Sequence, residues 1–156
     1  MVSTPRCDGQ RSAVQSTSLC DLRDEACNGQ SHNDRVLAIA FRPAGPSSPN
    51  PALPLQLATT GDDGRVKVWD CETGTLLHTL GSHTLPVHTC SWAPDGRTLA
   101  TASFDGSILI WGVHDGVATQ AFQAGGGVFD VSWNKDGRRL AVSTKEGCAF
   151  VLDTRP

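Results

Sequence analysis

The chain has 156 residues, of which 38% are hydrophobic and 16 are glycine, a composition typical of a turn-rich globular protein. It carries 13 basic and 16 acidic residues, a net charge of −3, without any basic block, so we expect no direct binding to nucleic-acid phosphates. No apolar run approaches the roughly 18 residues that span a bilayer, and the first residues lack the apolar core of a signal peptide.

Six cysteines are scattered along the chain without a C-x-x-C pair. A disulfide framework or a zinc site needs tighter, paired spacing. The pattern therefore predicts reduced thiols in an intracellular protein, with no metal or other cofactor.

In chain order, residues 1–30 are polar and predict a disordered or poorly structured amino-terminal segment. From Val36 onward, short alternating apolar runs are separated by turns that pair glycine with aspartate or glutamate, which indicates β-hairpins. No stretch shows a helical period of 3.6 residues. The pattern predicts an all-β protein with eleven strands, grouped as four, four and three.

These runs form three repeated units, 31–80, 82–122 and 124–156, with a period of about forty residues. Trp111 follows Trp92 by the same interval at which Leu152 follows Trp133, so the second and third units align without a gap. A repeat of this size cannot bury its own apolar face and must stack on its neighbours. We therefore expect a partial repeat array over 31–156.

The first unit differs by a proline-rich insert, residues 43–54, between its first two strands. Proline cannot donate to a strand ladder, which predicts an exposed loop there. A tolerated spacer is favoured over a ligand for proline-binding domains.

The units resemble WD40 repeats, whose four-stranded antiparallel blades form β-propellers. The resemblance is carried by Ser-His before the first strand (31–32 and 82–83), by an aspartate in the turn after the second strand, and by a tryptophan closing the third. It implies a fragment of about three blades, the last of which lacks its fourth strand.

The resemblance also implies a hydrogen-bonded network of aspartate, histidine, hydroxyl and tryptophan inside each blade. In the first unit it would comprise His32, Asp63, Trp69 and either Thr59 or Gly61, of which only threonine has a hydroxyl. In the second unit it would comprise His83, Asp105, Trp111 and either Thr101 or Ser103.

Serine, histidine and aspartate together could suggest nucleophilic catalysis. Their recurrence in successive units argues against a single active site, and the remaining histidines, His78, His88 and His114, are isolated in the sequence. We therefore predict a protein that is not an enzyme.

The third unit departs from the pattern, with Ala124 in place of histidine, Glu146 in place of the turn aspartate and Leu152 in place of tryptophan. Without the polar network, we expect apolar packing to hold this unit together. The side chains predicted to supply it are Phe129, Trp133, Leu140, Phe150 and Leu152.

Residues 126–156 and the proline-rich insert resemble the transducin β-like protein 1 subfamily of WD40 proteins. That resemblance implies a nuclear location and a transcriptional corepressor complex with histone deacetylases, corepressor subunits or histone tails as partners. The subfamily's amino-terminal LisH motif and F-box-like region are not recognisable in residues 1–30, so tetramer formation and recruitment of the ubiquitin machinery are not predicted.

Because propellers contain about four to eight blades, we expect this chain to be the carboxyl-terminal part of a larger propeller that needs upstream blades to close. Alone, it would expose the apolar flank of its first unit and the edge of its last strand.

The leading hypothesis is a non-catalytic scaffold that binds other proteins through the loops before the first strands and the turns after the second. The alternatives are a general WD40 adaptor, such as a ubiquitin-ligase substrate receptor, and a fragment without independent function. The candidate contact residues are Asp34, Arg35, Leu85, Phe104 and Phe129, with Phe104 the strongest because a large apolar residue in a tight turn is hard to bury.

Overall fold

The computed structural model describes residues 30–45 and 48–155, and within them it contains eleven strands and no helix. All the strand pairings are antiparallel, and they form three separate sheets of four, four and three strands. The predicted all-β propeller fragment is thereby confirmed. The prediction of a disordered amino-terminal segment lies, apart from Gln30, outside the described residues.

Each sheet is a meander in which strands adjacent in sequence pair with one another, in the orders β1-β2-β3-β4, β5-β6-β7-β8 and β11-β10-β9. We refer to them as sheets one, two and three. The strand bounds are β1 Val36–Phe41, β2 Gln56–Gly61, β3 Val66–Asp70, β4 Leu76–Leu80, β5 Val87–Trp92, β6 Thr98–Ser103, β7 Ser107–Gly112, β8 Val117–Gln123, β9 Val128–Trp133, β10 Arg139–Thr144 and β11 Ala149–Asp153.

The sheets stack face to face, so that a strand of one sheet covers the next: β1 lies against β5, and β5 lies against β9. Valines and alanines of sheet one bury their side chains against Val87, Cys90 and Trp92 of sheet two. A second apolar cluster joins sheet two to sheet three around Ile108 and Leu140. Each sheet thus buries a face that it could not bury alone.

Indole groups fix the stacking register between neighbouring sheets. Trp92 Nε1 donates to the carbonyl oxygen of Ala40 at 2.9 Å, and Trp133 Nε1 donates to that of Ser91 at 3.0 Å. The two bonds are equivalent, because each tryptophan closes the first strand of its sheet. Phe41 holds this position in sheet one, where its side chain is 58% exposed on the outer flank.

In sheet three, the expected apolar packing is present for four of the five side chains. Leu140 is fully buried, and Trp133, Phe150 and Leu152 pack against the same cluster. The expectation was wrong for Phe129, whose side chain is 43% exposed. Because residues alternate along a strand, Phe129 points away from the face on which its neighbour Val128 is buried.

The proline-rich insert follows β1 and leads back to β2. Residues 51, 52, 54 and 55 are exposed, in line with the predicted loop. Asn50, however, donates to the carbonyl oxygen of Pro94 at 2.8 Å, so the insert of sheet one is bonded to the β5–β6 turn of sheet two. That contact depends on the tertiary fold and has no sign in the local sequence.

Candidate partner-binding face

We define the upper face as the loops before β1, β5 and β9 together with the turns β2–β3, β6–β7 and β10–β11. All of these lie at the same ends of the strands, because neighbouring strands are antiparallel. The buried histidines His32 and His83 lie beneath this face, with 7% and 9% of their surfaces exposed.

In sheet one, a chain of hydrogen bonds runs from an indole to a carboxylate. Trp69 Nε1 lies 2.9 Å from Thr59 Oγ1, which lies 2.8 Å from His32 Nε2. His32 Nδ1 lies 3.0 Å from both carboxylate oxygens of Asp63. The structure thus brings together His32, Asp63, Trp69 and Thr59.

The donors and acceptors define the direction of this chain. An indole N–H can only donate, so the Thr59 hydroxyl accepts from Trp69. An ionised carboxylate can only accept, so the hydrogen on His32 Nδ1 is donated to Asp63. His32 Nε2 and the Thr59 hydroxyl share the hydrogen bond between these two ends. Each side chain of this hydrogen-bonded series thus has a partner, which avoids the cost of an unpaired buried polar group.

In sheet two, the corresponding series of hydrogen bonds contains one more group, the hydroxyl of Ser107. Trp111 Nε1 donates to Thr101 Oγ1 at 2.8 Å, and Thr101 lies 2.8 Å from His83 Nε2. His83 Nδ1 then meets Ser107 Oγ at 2.7 Å, and Ser107 in turn donates to Asp105. His83 and Asp105 are 3.8 Å apart, so the serine hydroxyl connects them.

The structure selects Thr101 over Ser103 as the hydroxyl that meets histidine and tryptophan. Ser103, two residues further along β6, is fully buried, and its hydroxyl donates to the carbonyl oxygen of Leu85 at 3.0 Å. It also accepts from the backbone N–H of Asp105. Ser103 therefore ties the loop before β5 to the β6–β7 turn.

A difference at one position explains why the hydrogen-bonded series of sheets one and two differ. Gly61 occupies in sheet one the place that Ser103 occupies in sheet two, and a Cβ on Gly61 would lie 2.8 Å from His32 Nδ1 and 2.9 Å from Asp63 Oδ1. Glycine therefore allows the aspartate to reach the histidine directly. With serine at this position, Asp105 stands farther away and Ser107 fills the gap. Sequence reasoning missed Ser107, because Arg65 holds its place in the first unit.

Hydrogen bonds dominate the ionisation of the two aspartates. Burial alone raises the pKa of Asp63, but donors from Asn33, His32 and Arg65 outweigh it and hold that pKa below its ordinary value. Burial likewise raises the pKa of Asp105, and bonds from Ser107 and Thr84 reverse the effect more strongly.

The pKa of His83, the histidine of the hydrogen-bonded series in sheet two, shifts for a different reason. Burial lowers the pKa of His83, while the nearby Asp105 carboxylate opposes this without reversing it. His83 is therefore neutral at pH 7, in agreement with its role between a hydroxyl that donates and one that accepts.

Both aspartates also hold the loops of the upper face. Asp63 accepts from the backbone N–H of Asn33 at 3.0 Å, and Asp105 accepts from the backbone N–H of Thr84 at 2.7 Å and from its hydroxyl at 3.0 Å. The same carboxylates accept from backbone N–H groups of their own turns, Arg65 and Ser107. The buried chains thus orient the exposed loops that follow His32 and His83.

The candidate contact residues of sheet one lie on such a loop. Arg35 pairs with Asp62 in the neighbouring turn, with Nε 2.7 Å from the carboxylate. Asp34 is exposed, and it accepts from the backbone N–H of Arg35. In sheet two, Leu85 is 49% exposed on the corresponding loop.

The other two candidates, Phe104 and Phe129, form an aromatic cluster with His88, and this packing leaves Phe104 partly buried although it lies in a tight turn. The ring centroids lie 4.9 Å apart for His88 and Phe104, 5.5 Å for His88 and Phe129, and 5.6 Å for the two phenylalanines. His88 Nδ1 also donates to the carbonyl oxygen of Phe129 at 3.0 Å. The cluster joins sheets two and three at the upper face, and its histidine was not among the predicted contact residues. The sequence does carry a signal for His88, because it occupies the second position of β5 as Phe129 occupies the second position of β9.

In the described ranges 30–45 and 48–155, no group of three or more metal-binding side chains comes together. The same residues include no helix that could span a membrane.

Comparison with known proteins identifies the repeats. The family model "WD domain, G-beta repeat" matches residues 26–70 and 74–112, more than half of the chain. The chain is similar to the WD40 repeat-containing protein HOS15 of Arabidopsis thaliana, with 36% identity over 111 residues, 71% of this chain and 18% of that protein. It is also similar to the F-box-like/WD repeat-containing proteins TBL1X of Mus musculus and TBL1Y of Homo sapiens. Their identities are 35% and 36%, covering 68% and 67% of this chain and 20% of each relative.

The chain thus spans about a fifth of the length of these curated relatives. The similarity to TBL1X and TBL1Y confirms the resemblance to transducin β-like proteins. Other relatives have different names, among them the Periodic tryptophan protein 2 homolog of Neurospora crassa, which is 34% identical over 63% of this chain and 11% of its own length. With two matched repeats and three stacked antiparallel sheets, the chain belongs to the WD40 repeat family.

Proposed function

We propose that this chain forms part of a non-catalytic scaffold that binds another protein through the upper face. WD40 repeat proteins are typically protein-interaction scaffolds, and none of the relatives named above carries the name of an enzyme. The observation that carries the proposal is the cluster of Phe104, His88 and Phe129, which lies between two sheets at that face.

Three physical features suit this cluster to a partner. Phe129 is 43% exposed, so an apolar partner side chain that covers it gains free energy by removing that surface from water. The rings contact one another across two sheets, so they are already ordered before binding. Leu85 adds a second exposed apolar side chain on a loop that Ser103 holds in place.

The charged candidates would complete the rim of such a surface. Arg35 is exposed and pairs with Asp62, and Asp34 lies beside it. Rim charges of this kind contribute mainly to the choice of partner and to the rate of association. We therefore assign apolar contact to Phe104, Phe129 and Leu85, and partner selection to Asp34 and Arg35.

For the cellular role, we propose a subunit of a nuclear transcriptional corepressor complex, with deacetylase or corepressor proteins or histone tails as partners. Similarity to TBL1X and TBL1Y supports this, together with the resemblance of residues 126–156 to their subfamily. The net charge of −3 favours protein over nucleic acid as the partner.

The test is affinity purification of the tagged full chain from nuclear extract, followed by mass spectrometry. We expect wild-type protein to recover deacetylase and corepressor subunits, and F104A to lower their recovery at least tenfold, as for an anchor residue of an interface. V117A is the control, because Val117 is 55% exposed on β8, outside the upper face. Thermal melts of both variants separate lost binding from lost folding.

Two outcomes would contradict the proposal. Unchanged recovery with F104A would remove the aromatic cluster from the partner surface. Recovery of cullin proteins without deacetylases would instead support a general adaptor, such as a ubiquitin-ligase substrate receptor.

A further inference from the structure

The face opposite the upper one, which we call the lower face, is shaped by the proline-rich insert. Leu53 of the insert lies against Gly96 in the β5–β6 turn, where a Cβ would stand 2.8 Å from Leu53 Cδ1 and 3.3 Å from the carbonyl oxygen of Pro43. Gly96 also has a φ of +65°, a conformation that favours glycine. With the Asn50 bond to Pro94, these contacts fix the insert across the junction of sheets one and two.

Beneath the insert lies a cavity of about 390 Å³, and a second cavity of about 320 Å³ adjoins it. The two share Arg42, Leu53 and His114. His78 and Leu77 line the first, and Arg97 lines the second. Cavities of this size hold a small ligand or one or two side chains of a partner. We call the two cavities together the basic pocket.

Arg42 is held rigidly at the centre of the basic pocket. Its Nε donates to the carbonyl oxygen of Gly96, and its Nη1 donates to Gln56 Oε1 at 2.8 Å. The guanidinium also lies over the ring of Trp92, 5.7 Å from its centroid. These contacts use two of the five N–H donors of a guanidinium, so the group is oriented in advance for another acceptor.

The pocket lining combines positive charge with apolar surface. Among the described residues, those that line the two cavities include two arginines and two histidines but no carboxylate. Asp95 lies close enough to raise the pKa of Arg42, although burial lowers that pKa more, and it offsets part of the charge from outside the lining. Leu53 and Leu77 supply the apolar part of the lining.

The histidine of the first cavity is also fixed by its surroundings. His78 lies against the β7–β8 turn, where a Cβ on Gly116 would be 2.9 Å from His78 Nδ1. Gly116 has a φ of +68°, so glycine serves both the turn and the close approach. The imidazole ring of sheet one is thereby held against sheet two within the pocket.

From this geometry we propose that the basic pocket binds an oxyanion side chain of a partner protein, a phosphoserine or a carboxylate, next to an apolar residue that packs on Leu53 and Leu77. Arginine clusters recognise such groups through charge-assisted hydrogen bonds. Since the pocket lies on the lower face, this binding is independent of the partner surface proposed on the upper face.

The experiment measures binding of the full chain to acetylated seven-residue peptides with a central phosphoserine flanked by leucines. The glutamate and serine versions of the peptide and inorganic phosphate serve as the other probes, and isothermal titration calorimetry gives each affinity. We expect the phosphoserine peptide to bind most tightly, the glutamate peptide next and the serine peptide at least tenfold more weakly than the first, because one charge-assisted hydrogen bond changes affinity by about tenfold or more.

Two matched variants locate the site. Arg97 and Arg138 hold the same position in the turns of sheets two and three, both are exposed, and only Arg97 lines the pocket beside the insert. We expect R97Q to weaken phosphopeptide binding about tenfold and R138Q to leave it within twofold of wild type. Melting temperatures of both variants verify folding, and H114Q, at another exposed lining residue, gives a second test.

Three results would overturn the proposal. Equal losses in R97Q and R138Q would show attraction to general surface charge. Equal affinity for the serine peptide would remove the oxyanion from recognition. Inorganic phosphate binding more tightly than the phosphopeptide would assign the pocket to a free anion rather than to a partner protein.

Discussion

Ser107 gives the sharpest test of the hydrogen-bonded chains, because it connects His83 to Asp105 in sheet two and has no counterpart in sheet one. In S107A, the hydroxyl that receives the His83 Nδ1 hydrogen at 2.7 Å is lost. The side chain of His83 is fully buried, so water does not replace this partner. An unsatisfied buried donor costs about 1–3 kcal/mol of stability.

The carboxylate of Asp105 loses one donor in the same variant. It keeps the bonds from the Thr84 backbone, the Thr84 hydroxyl and the backbone N–H of residue 107, so this loss adds about 1 kcal/mol. Removing a single oxygen leaves almost no cavity. We therefore expect S107A to lower the free energy of unfolding by about 2–4 kcal/mol at pH 7, a large part of the typical 5–15 kcal/mol of a domain.

The assay is urea unfolding of the full chain, followed by tryptophan fluorescence. Arg65 holds the position of Ser107 in sheet one and is exposed, so R65A is the matched control, with an expected change within about 0.5 kcal/mol. If S107A also stays within about 0.5 kcal/mol of wild type, the reasoning fails. Asp105 would then have moved from 3.8 Å to the 3.0 Å contact that Asp63 makes with its histidine, and the serine would not be required.

Two further predictions concern pH and backbone conformation. Because the pKa of His83 is lowered in the folded state, protonation favours the unfolded chain, so stability should fall as pH drops below about 6.5; the lowered pKa of Asp105 should add a second loss below about pH 4. Urea midpoints measured from pH 7.5 to 3.5 test this, and a pH 7 to 5 loss that is equally large in H83Q would contradict it. Separately, G106A should destabilise the protein by about 1–3 kcal/mol more than G147A. Both glycines have φ near +80°, but only at Gly106 would a Cβ meet backbone, 3.0 Å from the carbonyl oxygen of Gly126. Equal urea midpoints for these two variants would show that the close approach is harmless.

The strands could be predicted from the sequence because their signals are local. Within the sheets, every turn except the proline-rich insert pairs glycine with an acidic residue, and these turns separate the strands where the structure has them. The aspartate, histidine and tryptophan positions followed from the resemblance to WD40 repeats, in which aspartate precedes tryptophan by six residues in both units while the insert lengthens the histidine-to-aspartate interval of the first unit. What the repeat could not supply was Ser107, because a bridging group present in one unit leaves no periodic signal.

The lower face was the least predictable region for a different reason. Prolines in residues 43–54 indicate a loop, but the position of that loop is decided by Asn50 and Leu53 meeting Pro94 and Gly96 more than forty residues away. Arg42, Arg97, His78 and His114 are likewise far apart in sequence. Only the stacking of sheet one on sheet two brings them to a single pocket, and a contact of that kind cannot be inferred from spacing.

Sheet three shows what the hydrogen-bonded chains contribute, because it has replaced all of their members together. Ala124, Val142 and Leu152 stand where sheet two has His83, Thr101 and Trp111, and Val142 is buried. The buried partners are exchanged for apolar groups, and Glu146, in place of the aspartate, is exposed to solvent. No buried polar atom of the network is then left without a partner, whereas removing one partner alone leaves one, so the joint exchange is tolerated and a single change such as S107A is not.

The loops of the upper face nevertheless keep the same backbone anchor in all three sheets. Asp62 N–H donates to Arg35 in sheet one, Phe104 N–H to Pro86 in sheet two, and Lys145 N–H to Gly127 in sheet three. This backbone bond is therefore what sets the shared position of the loops, with or without a buried polar chain. The chains of sheets one and two add side-chain clamps through Asp63 and Asp105, and sheet three has none at Glu146, which is exposed. The aromatic cluster therefore joins the β6–β7 turn to strand β9. The turn carries Phe104 and is held by both a backbone bond and the Asp105 carboxylate. Strand β9 carries Phe129, and the loop before it is held by a backbone bond alone.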